Sequence, residues 1–506
     1  MGVILPMKSA VGILETSSKV RFGIDRRGHY LYRFVPYARH LADCVFVVAS
    51  KMTGQMCDYW VEIEYDADNV PTVPRVRGYI VAVIGSVPDA ELQAICRHYR
   101  SRSIYTRSLK SCENEVLEII ERERALEAHR QYAIKVSSID PEGCRDVDDT
   151  FSYDPTHHIL GIHIADVSYW IQPDTHPHLD ARARMFGETL YEWCGADGAD
   201  VGNSPIFPRI LSDNIMSLRE GAVRPALSLY IQYHPDTRTF TCRKTLVRTF
   251  VVNTHKTTYE EYDPSAEKTA DVLHDFCEYV LGVAHNASNH HIVEAMMIYY
   301  NKTVAEYMIR KGGVGLWREQ DTIDETTLPA YTSLLPYTPS LPASYTTVGN
   351  KKHDTMDKEY GVAYYTHATS PIRRYADVVV QRIAMGDSVR YGEQDLNAIT
   401  TELNALQRTH RKYYRDITFA RNVGCGDPTV RATILSLQKC TGNKYRLTCY
   451  IWNRILSFST YADGELAERL EGCFERHDQA VFEYYRNARR KITVRFVCSS
   501  DTSPKI

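Results

Sequence analysis

Residues Ser137–Asp154 read SSIDPEGCRDVDDTFSYD, and four aspartates, Asp140, Asp146, Asp148 and Asp149, fall within ten positions of it. The preceding YAIKVSSI reads as a strand, so the acidic run occupies the connection that leaves it. Like charges at this spacing repel, and a fold that gathers them must keep them in water or bring positive charge to them. Oxygen-only ligands suit Mg²⁺ or Mn²⁺. Such an ion can activate water, polarise a phosphoryl oxygen and stabilise a leaving oxygen, and four carboxylates could hold two ions. The plain alternative is a solvated loop of Asx-turns. No EF-hand pattern is present, so a calcium loop is disfavoured.

A second stretch bears on the choice. In Tyr364–Arg382, YYTHATSPIRRYADVVVQR, Ser370 is placed as an N-cap with Pro371 at the first helical position. A helix starting there would aim free N–H groups at an anion. Arg373 and Arg374 would sit in its first turn, where positive charge is unfavourable for the helix itself but suits a phosphate. Asp377 is spaced to pair with Arg373. A purely structural Arg–Asp pair is the competing reading.

The chain of 506 residues has 44% hydrophobic and 24% charged residues and a net charge of −3. That is an ordinary globular balance with room for two to four domains, and no global basic field announces a nucleic-acid partner. Any such binding must rest on local basic patches and on some of the 35 tyrosines. The 13 cysteines are scattered without metal-ligand spacing, which argues for an intracellular, reducing compartment, the cytoplasm first. The opening MGVILPMKSAVG has an apolar stretch without a signal-peptide layout, and no apolar run reaches the length of a membrane span.

Residues 1–108 are strand-rich (GHYLYRFV, DCVFVVAS, DYWVEIEY, RGYIVAVIG) and suit a small barrel. Residues 109–134 form a helical connector carried by Ser111–His129, and 135–425 mix strands and helices. There HILGIHIADV alternates as a strand, and NHHIVEAMMIYYNKTVAEYMIRKG is a helix stopping at Gly312. Residues 428–506 return to strands, with a hairpin around Thr441-Gly442-Asn443 and a basic group at Arg486, Arg489, Arg490 and Lys491. The fold class is multidomain α+β: a central mixed α/β domain flanked by small β-barrels.

Five segments in order, SSIDPEGCRDVDDTFS, LGIHIADVSYWI, LSDNIMSLREGAVRPALSL, HIVEAMMIYYN and YTHATSPIRRYADVVVQR, resemble the catalytic domain of the RNase II/RNase R (RNB) superfamily. The first barrel resembles a cold-shock-type OB domain nearer the eukaryotic exosome-type branch, and the tail is similar in position to the family's S1 barrel. The resemblance implies a processive, Mg²⁺-dependent (or Mn²⁺-dependent) 3′→5′ exoribonuclease. It would hydrolyse single-stranded RNA to 5′-monophosphates with two metals. Asp140, Asp146, Asp148 and Asp149 fall on the family's metal-binding catalytic positions, Asp140 and Asp149 as direct ligands of one ion. Arg373 matches its phosphate-contacting arginine, with Arg374 beside it. Tyr191 sits at a base-stacking position, and Tyr259 and Glu294 at positions that grip the terminal nucleotide. The implied partners are RNA 3′ ends, with an RNA-decay complex left open, and no membrane; the chain is expected to be a monomer. PIFP (Pro205–Pro208) departs from the family's usual PMLP. A catalytically weak RNA-binding regulator and a DNA-directed nuclease are the alternatives.

Overall fold

Alternating apolar residues close the first group of strands on themselves. In the computed structural model, β1 (Met7–Leu14), β2 (Tyr30–Pro36), β3 (Phe46–Ser50), β4 (Tyr59–Asp66) and β5 (Val76–Ser86) form a closed barrel in the order β1-β2-β3-β5-β4. Leu14, Tyr32, Phe34, Phe46, Val61 and Ile63 fill it. The structure describes residues 7–52, 57–66, 74–87, 89–100, 102–193, 202–265, 269–283, 287–322, 341–347, 353–362, 364–386, 391–424, 429–451, 456–465, 467–468, 479–486 and 492–499. Residues 1–6 of the opening apolar stretch lie outside the described residues; β1 follows from Met7, and its full pairing with β4 closes the barrel. The strands end at Ser86, well before the expected boundary at 108. In their place come α1 (Glu91–Tyr99), α2 (Arg102–Ser111), α3 (Glu113–Arg124) and a 3₁₀ segment at Ala125–Tyr132. Leu92, Ile95, Cys96 and Tyr99 recur at helical spacing, which explains α1.

The acidic run lies inside a second closed barrel. After β6 (Ile134–Asp140), β7 (Asp149–Asp154) and β8 (Ile159–Ala165) come α4 (Val167–Trp170), α5 (Pro177–Phe186) and a small hairpin, β9 (Leu190–Trp193) with β10 (Gly202–Ser204). Then β11 (Val223–His234) and the long β12 (Thr239–Thr258) complete the order β11-β12-β6-β7-β8. The β6–β12 ladder is parallel and the other ladders are antiparallel. Leu160, Ile162 and Ile164 of β8 are fully buried as the alternation predicts, but His163 between them is buried too, so β8 is covered on both faces.

Helices pack outside this barrel: α6 (Ala270–Leu281) and α7 (Asn289–Arg310), then the short strands β13 (Trp317–Glu319) and β14 (Ser344–Thr346), then α8 (Asp354–Tyr360), α9 (Tyr375–Ala384) and α10 (Glu393–Gly424). Ser288 and His291 form a capping box at the start of α7, and Gly312 and Gly313 follow its end at positive φ. The tail supplies β15 (Thr429–Lys439), β16 (Lys444–Ile451), β17 (Leu456–Asp463), β18 (Gln479–Arg486) and β19 (Ile492–Ser499). The hairpin around Gly442 is the β15–β16 connection. Among the described residues, the expected second flanking barrel is a five-stranded antiparallel sheet, β17-β16-β15-β18-β19, whose edge strands β17 and β19 approach one another. Arg489, Arg490 and Lys491 lie outside the described residues, as does the side chain of Arg486.

Candidate active site

The barrel delivers Asp140 and Asp149 to one end. Asp140 closes β6 opposite Thr258 of β12, and Asp149 opens β7 opposite Ile164 of β8. The loop between them turns at Gly143 (φ +75°), where Cys144 N–H donates to Pro141 C=O at 3.1 Å. It is then fastened along its length. Ser217 Oγ accepts from Val147 N–H (3.0 Å) and donates to Arg145 C=O (2.7 Å), and Leu218 N–H donates to Val147 C=O (2.9 Å). Buried Asn253 of β12 joins Ser138 Oγ (2.9 Å) to Leu218 C=O (3.0 Å). The LSDNIMSL segment therefore acts as a splint for the aspartate loop.

The four carboxylates have unequal partners. Asp148 is almost fully buried, accepting from Ile372 N–H (2.9 Å) and from Arg373 Nε (3.2 Å). Asp146 accepts from the Tyr191 hydroxyl at 2.7 Å. Asp140 is 6% exposed and its Oδ2 has no hydrogen-bond partner. Desolvation pushes all four above the ordinary carboxylate range: Asp149 to about 7, Asp148 well up against the opposing pull of Arg373, and Asp140 and Asp146 to a smaller degree. Neighbouring carboxylates add to the strain, Asp140 acting on Asp149 and Asp146 on Asp148. Lys256, on β12, partly offsets it at Asp140 while donating from Nζ to Cys144 C=O at 2.5 Å.

This cluster fits a hard divalent cation. Its donors are all oxygen, it is short of positive charge, and a buried oxygen is left over. Among the described residues, no three His, Cys, Asp or Glu side chains stand together as a ready-made cage. Mg²⁺ asks for less, using one or two carboxylates with water and substrate phosphate.

Segment 364–374 is arranged differently from the sequence expectation. The helix does not begin at Pro371. Ser370 C=O accepts from Arg373 and Arg374 N–H in a turn, and α9 starts at Tyr375 with Arg374 at its N-cap. Asp377 pairs with Arg374, not Arg373, taking Nε and Nη2 at 3.0 and 2.9 Å, and also accepts from Ser370 N–H at 2.8 Å. The turn thereby points Arg373 away from Asp377 and toward Asp148. Among the backbone N–H groups expected to face an anion, that of Ile372 is satisfied by Asp148 instead.

A cavity of about 890 Å³ is lined by all four aspartates, Tyr191, Tyr259, Arg373 and Arg374. Tyr259 follows the end of β12, stacks on His290 (centroids 3.9 Å apart, planes 13°), and its hydroxyl is pushed up to about 12 by burial and the nearby aspartates. Glu294 does not line the cavity: it is exposed and accepts from the Tyr360 hydroxyl at 3.3 Å, although Val293 and Met297 of the same helix do face in. Sequence reasoning missed Lys256, Asn253, Ser217 and His290, which act on or behind the site from distant segments. Only Ser217 carried a signal, inside a motif quoted for its likeness.

The RNB domain pattern matches residues 130–276 and 279–385. The chain belongs to the RNB-domain family. Among curated relatives, this RNB chain is 26% identical over 319 residues to ribonuclease R of Chlamydia pneumoniae, covering 49% of the chain and 45% of the relative. It is 33% identical over 113 residues to the exosome complex exonuclease RRP44 homolog A of Arabidopsis thaliana, covering 22% and 11%. The chain spans about half the length of the ribonuclease R relatives it matches. Its fold is like that of Mycoplasma genitalium RNase R solved with double-stranded RNA (TM-score 0.62, 14% identity, 97% of this chain and 95% of that one). It is also like yeast Ssd1, described as a pseudonuclease (TM-score 0.56, 14% identity, 92% and 66%).

Proposed function

We propose that the chain is a processive 3′→5′ exoribonuclease that hydrolyses single-stranded RNA to 5′-nucleoside monophosphates with two divalent ions. The observation that carries this reading is the convergence of four desolvated aspartates and Arg373 on one cavity, with an Asp140 oxygen left unpartnered. Similarity to ribonuclease R supports it. Asp140 and Asp149 would hold one Mg²⁺ or Mn²⁺, and Asp146 and Asp148 would serve a second. When bound, the metal supplies Lewis-acid polarisation of the phosphoryl oxygen and a more acidic water.

The chain's own groups do the rest. Arg373, tethered to Asp148 through Nε, keeps its terminal nitrogens for a phosphate oxygen at the cavity edge. Tyr259, backed by His290, offers a ring to the last base, and Tyr191 a second ring further along. Stacking holds a strand without reading its sequence, as a processive enzyme requires. The substrate would be a free RNA 3′ end, met by a monomer in a reducing compartment.

The test is a labelled homopolymer ladder with Mg²⁺. RNA should be trimmed to monophosphates, and Asp149→Asn should lose cleavage by more than about 10³-fold while still binding RNA. Intact RNA with wild-type protein would favour a silent RNA-binding regulator. That second reading draws on Asp146 and Asp148 already being satisfied by Tyr191, Ile372 and Arg373. Equal digestion of single-stranded DNA would mean that no 2′-hydroxyl is read, as the placement of Glu294 off the cavity permits.

A further inference from the structure

The β9–β10 hairpin, which carries Tyr191, is held by side chains from outside the RNB-matched residues. Leu190 is buried in a small core with Ile95 and Cys96 of α1 and Tyr413 and Ile417 of α10. Strand alternation then turns Tyr191 the other way, into the cavity. At Tyr191 the backbone faces the outer edge of the hairpin, where among the described residues no third strand pairs. Its N–H donates to the Tyr414 hydroxyl (3.1 Å), and its C=O accepts from the Tyr413 hydroxyl (3.2 Å). Two tyrosine hydroxyls thus take the place of a neighbouring strand. The buried guanidinium of Arg100, at the end of α1, reaches the hairpin from the other side. It donates to Glu188 C=O (2.9 Å), Ser204 Oγ (3.0 Å) and Ser204 C=O.

Behind these contacts stands the first barrel. Tyr37, just past β2, and Tyr99 of α1 both donate to Asp416 of α10, at 3.3 and 2.6 Å, and Tyr413 packs edge-on against Tyr99. A continuous path of contacts therefore runs from the first barrel through α1 and α10 to the backbone of Tyr191, and from its hydroxyl to Asp146.

We propose that Tyr413 and Tyr414 are positioning residues that set the pose of Tyr191, and through it Asp146, so that α1 and α10 complete the active site of the RNB domain. The kinetic part of this proposal rests on the exoribonuclease reading; the structural part does not. Two measurements on the full chain separate them. Hydrogen exchange at the Tyr191 amide needs no RNA: Tyr414→Phe should speed it roughly fivefold, the loss of one ordinary hydrogen bond, with amides of β6 and β8 unchanged. With RNA, Tyr414→Phe should lower kcat/KM roughly two- to tenfold, and should cost nothing further in a Tyr191→Ala background, where the ring and hydroxyl it aims are both gone. Unchanged exchange at Tyr191 overturns the strap, and losses that multiply in the double variant overturn the positioning role. A wild-type chain that leaves RNA intact overturns the exoribonuclease reading and the kinetic role together, and the exchange rates still decide the strap.

Discussion

Asp148 and Asp149 are adjacent in sequence and opposite in circumstance. Asp148 is tied to Ile372 and Arg373, whereas Asp149 sits desolvated against Asp140 with its carboxyl lifted to about 7. Removing Asp148 strands a guanidinium and a buried N–H, so Asp148→Ala should cost about 2–3 kcal/mol, tempered by the partial exposure of Arg373. Urea unfolding reads that loss directly. A separate residue effect concerns acid. His163 is completely buried between Ser152 Oγ (2.9 Å) and Ser228 Oγ (2.6 Å), and desolvation drops its pKa to about 3. The unfolded chain takes up a proton near pH 6.5 that the folded chain refuses. The stability tied to neutral His163 is thus whole above that pH and drains as pH falls toward about 3. Between pH 7 and 5 wild type should lose about 2 kcal/mol more than His163→Gln in parallel urea titrations. An equal slope for both would contradict a neutral buried imidazole.

At the scale of elements, joints decide geometry. Gly187 closes α5 at φ +71°, and a Cβ there would stand 2.8 Å from Leu406 Cδ1 of α10. Gly187→Ala should therefore lower stability by about 1–2 kcal/mol and loosen the α5–α10 contact that adjoins β9, visible as a fall in melting temperature. The start of α9 shows why part of this was hidden in sequence. SPIRRYAD displays an N-cap, a proline and two arginines, and local rules place a helix at once. In the fold, Asp377 reaches back to Ser370 N–H and grips Arg374, which holds Ser370–Arg374 as a turn and frees Arg373. Choosing between Arg373 and Arg374 as the partner of Asp377 depends on where Asp148 stands, and no window of local sequence contains that. The strands β2 to β6 and β8 and helix α7, by contrast, follow from local pattern, because apolar runs and periodicity answer to a local demand for burial; β7, inside the acidic run, does not show itself that way.

For the whole molecule, the four desolvated carboxyls gathered in the cavity give a direct expectation. Mn²⁺ or Mg²⁺ should raise the melting temperature of the wild-type chain, by the equivalent of about 2.7 kcal/mol at a hundredfold excess over Kd. The rise should vanish in an Asp140→Asn, Asp149→Asn double variant and on adding a chelator. A metal-independent melt would remove the reason offered for burying these carboxylates. The same scale explains the support of Tyr191 by α1 and α10: two elements separated by some three hundred residues meet only in the folded chain.

The sequence by itself determined the chemistry on offer: an acidic run at the end of a strand, a pair of arginines after Ser-Pro, and strand and helix periods that place them in a β-rich fold with a helical centre. Residue type and short-range spacing carry that much, because secondary structure answers to local burial patterns. Only the tertiary structure decided that a buried Asp140 oxygen is left without a partner, which arginine pairs with Asp148 and which with Asp377, that Lys256 and Asn253 stand behind the loop, and that Tyr413 and Tyr414 hold Tyr191. Each of those outcomes is a contest between partners far apart in the chain, as with Asp148 and Ile372 at a separation of 224 residues. Such contests are settled by distance and desolvation, which exist only once the chain has closed on itself.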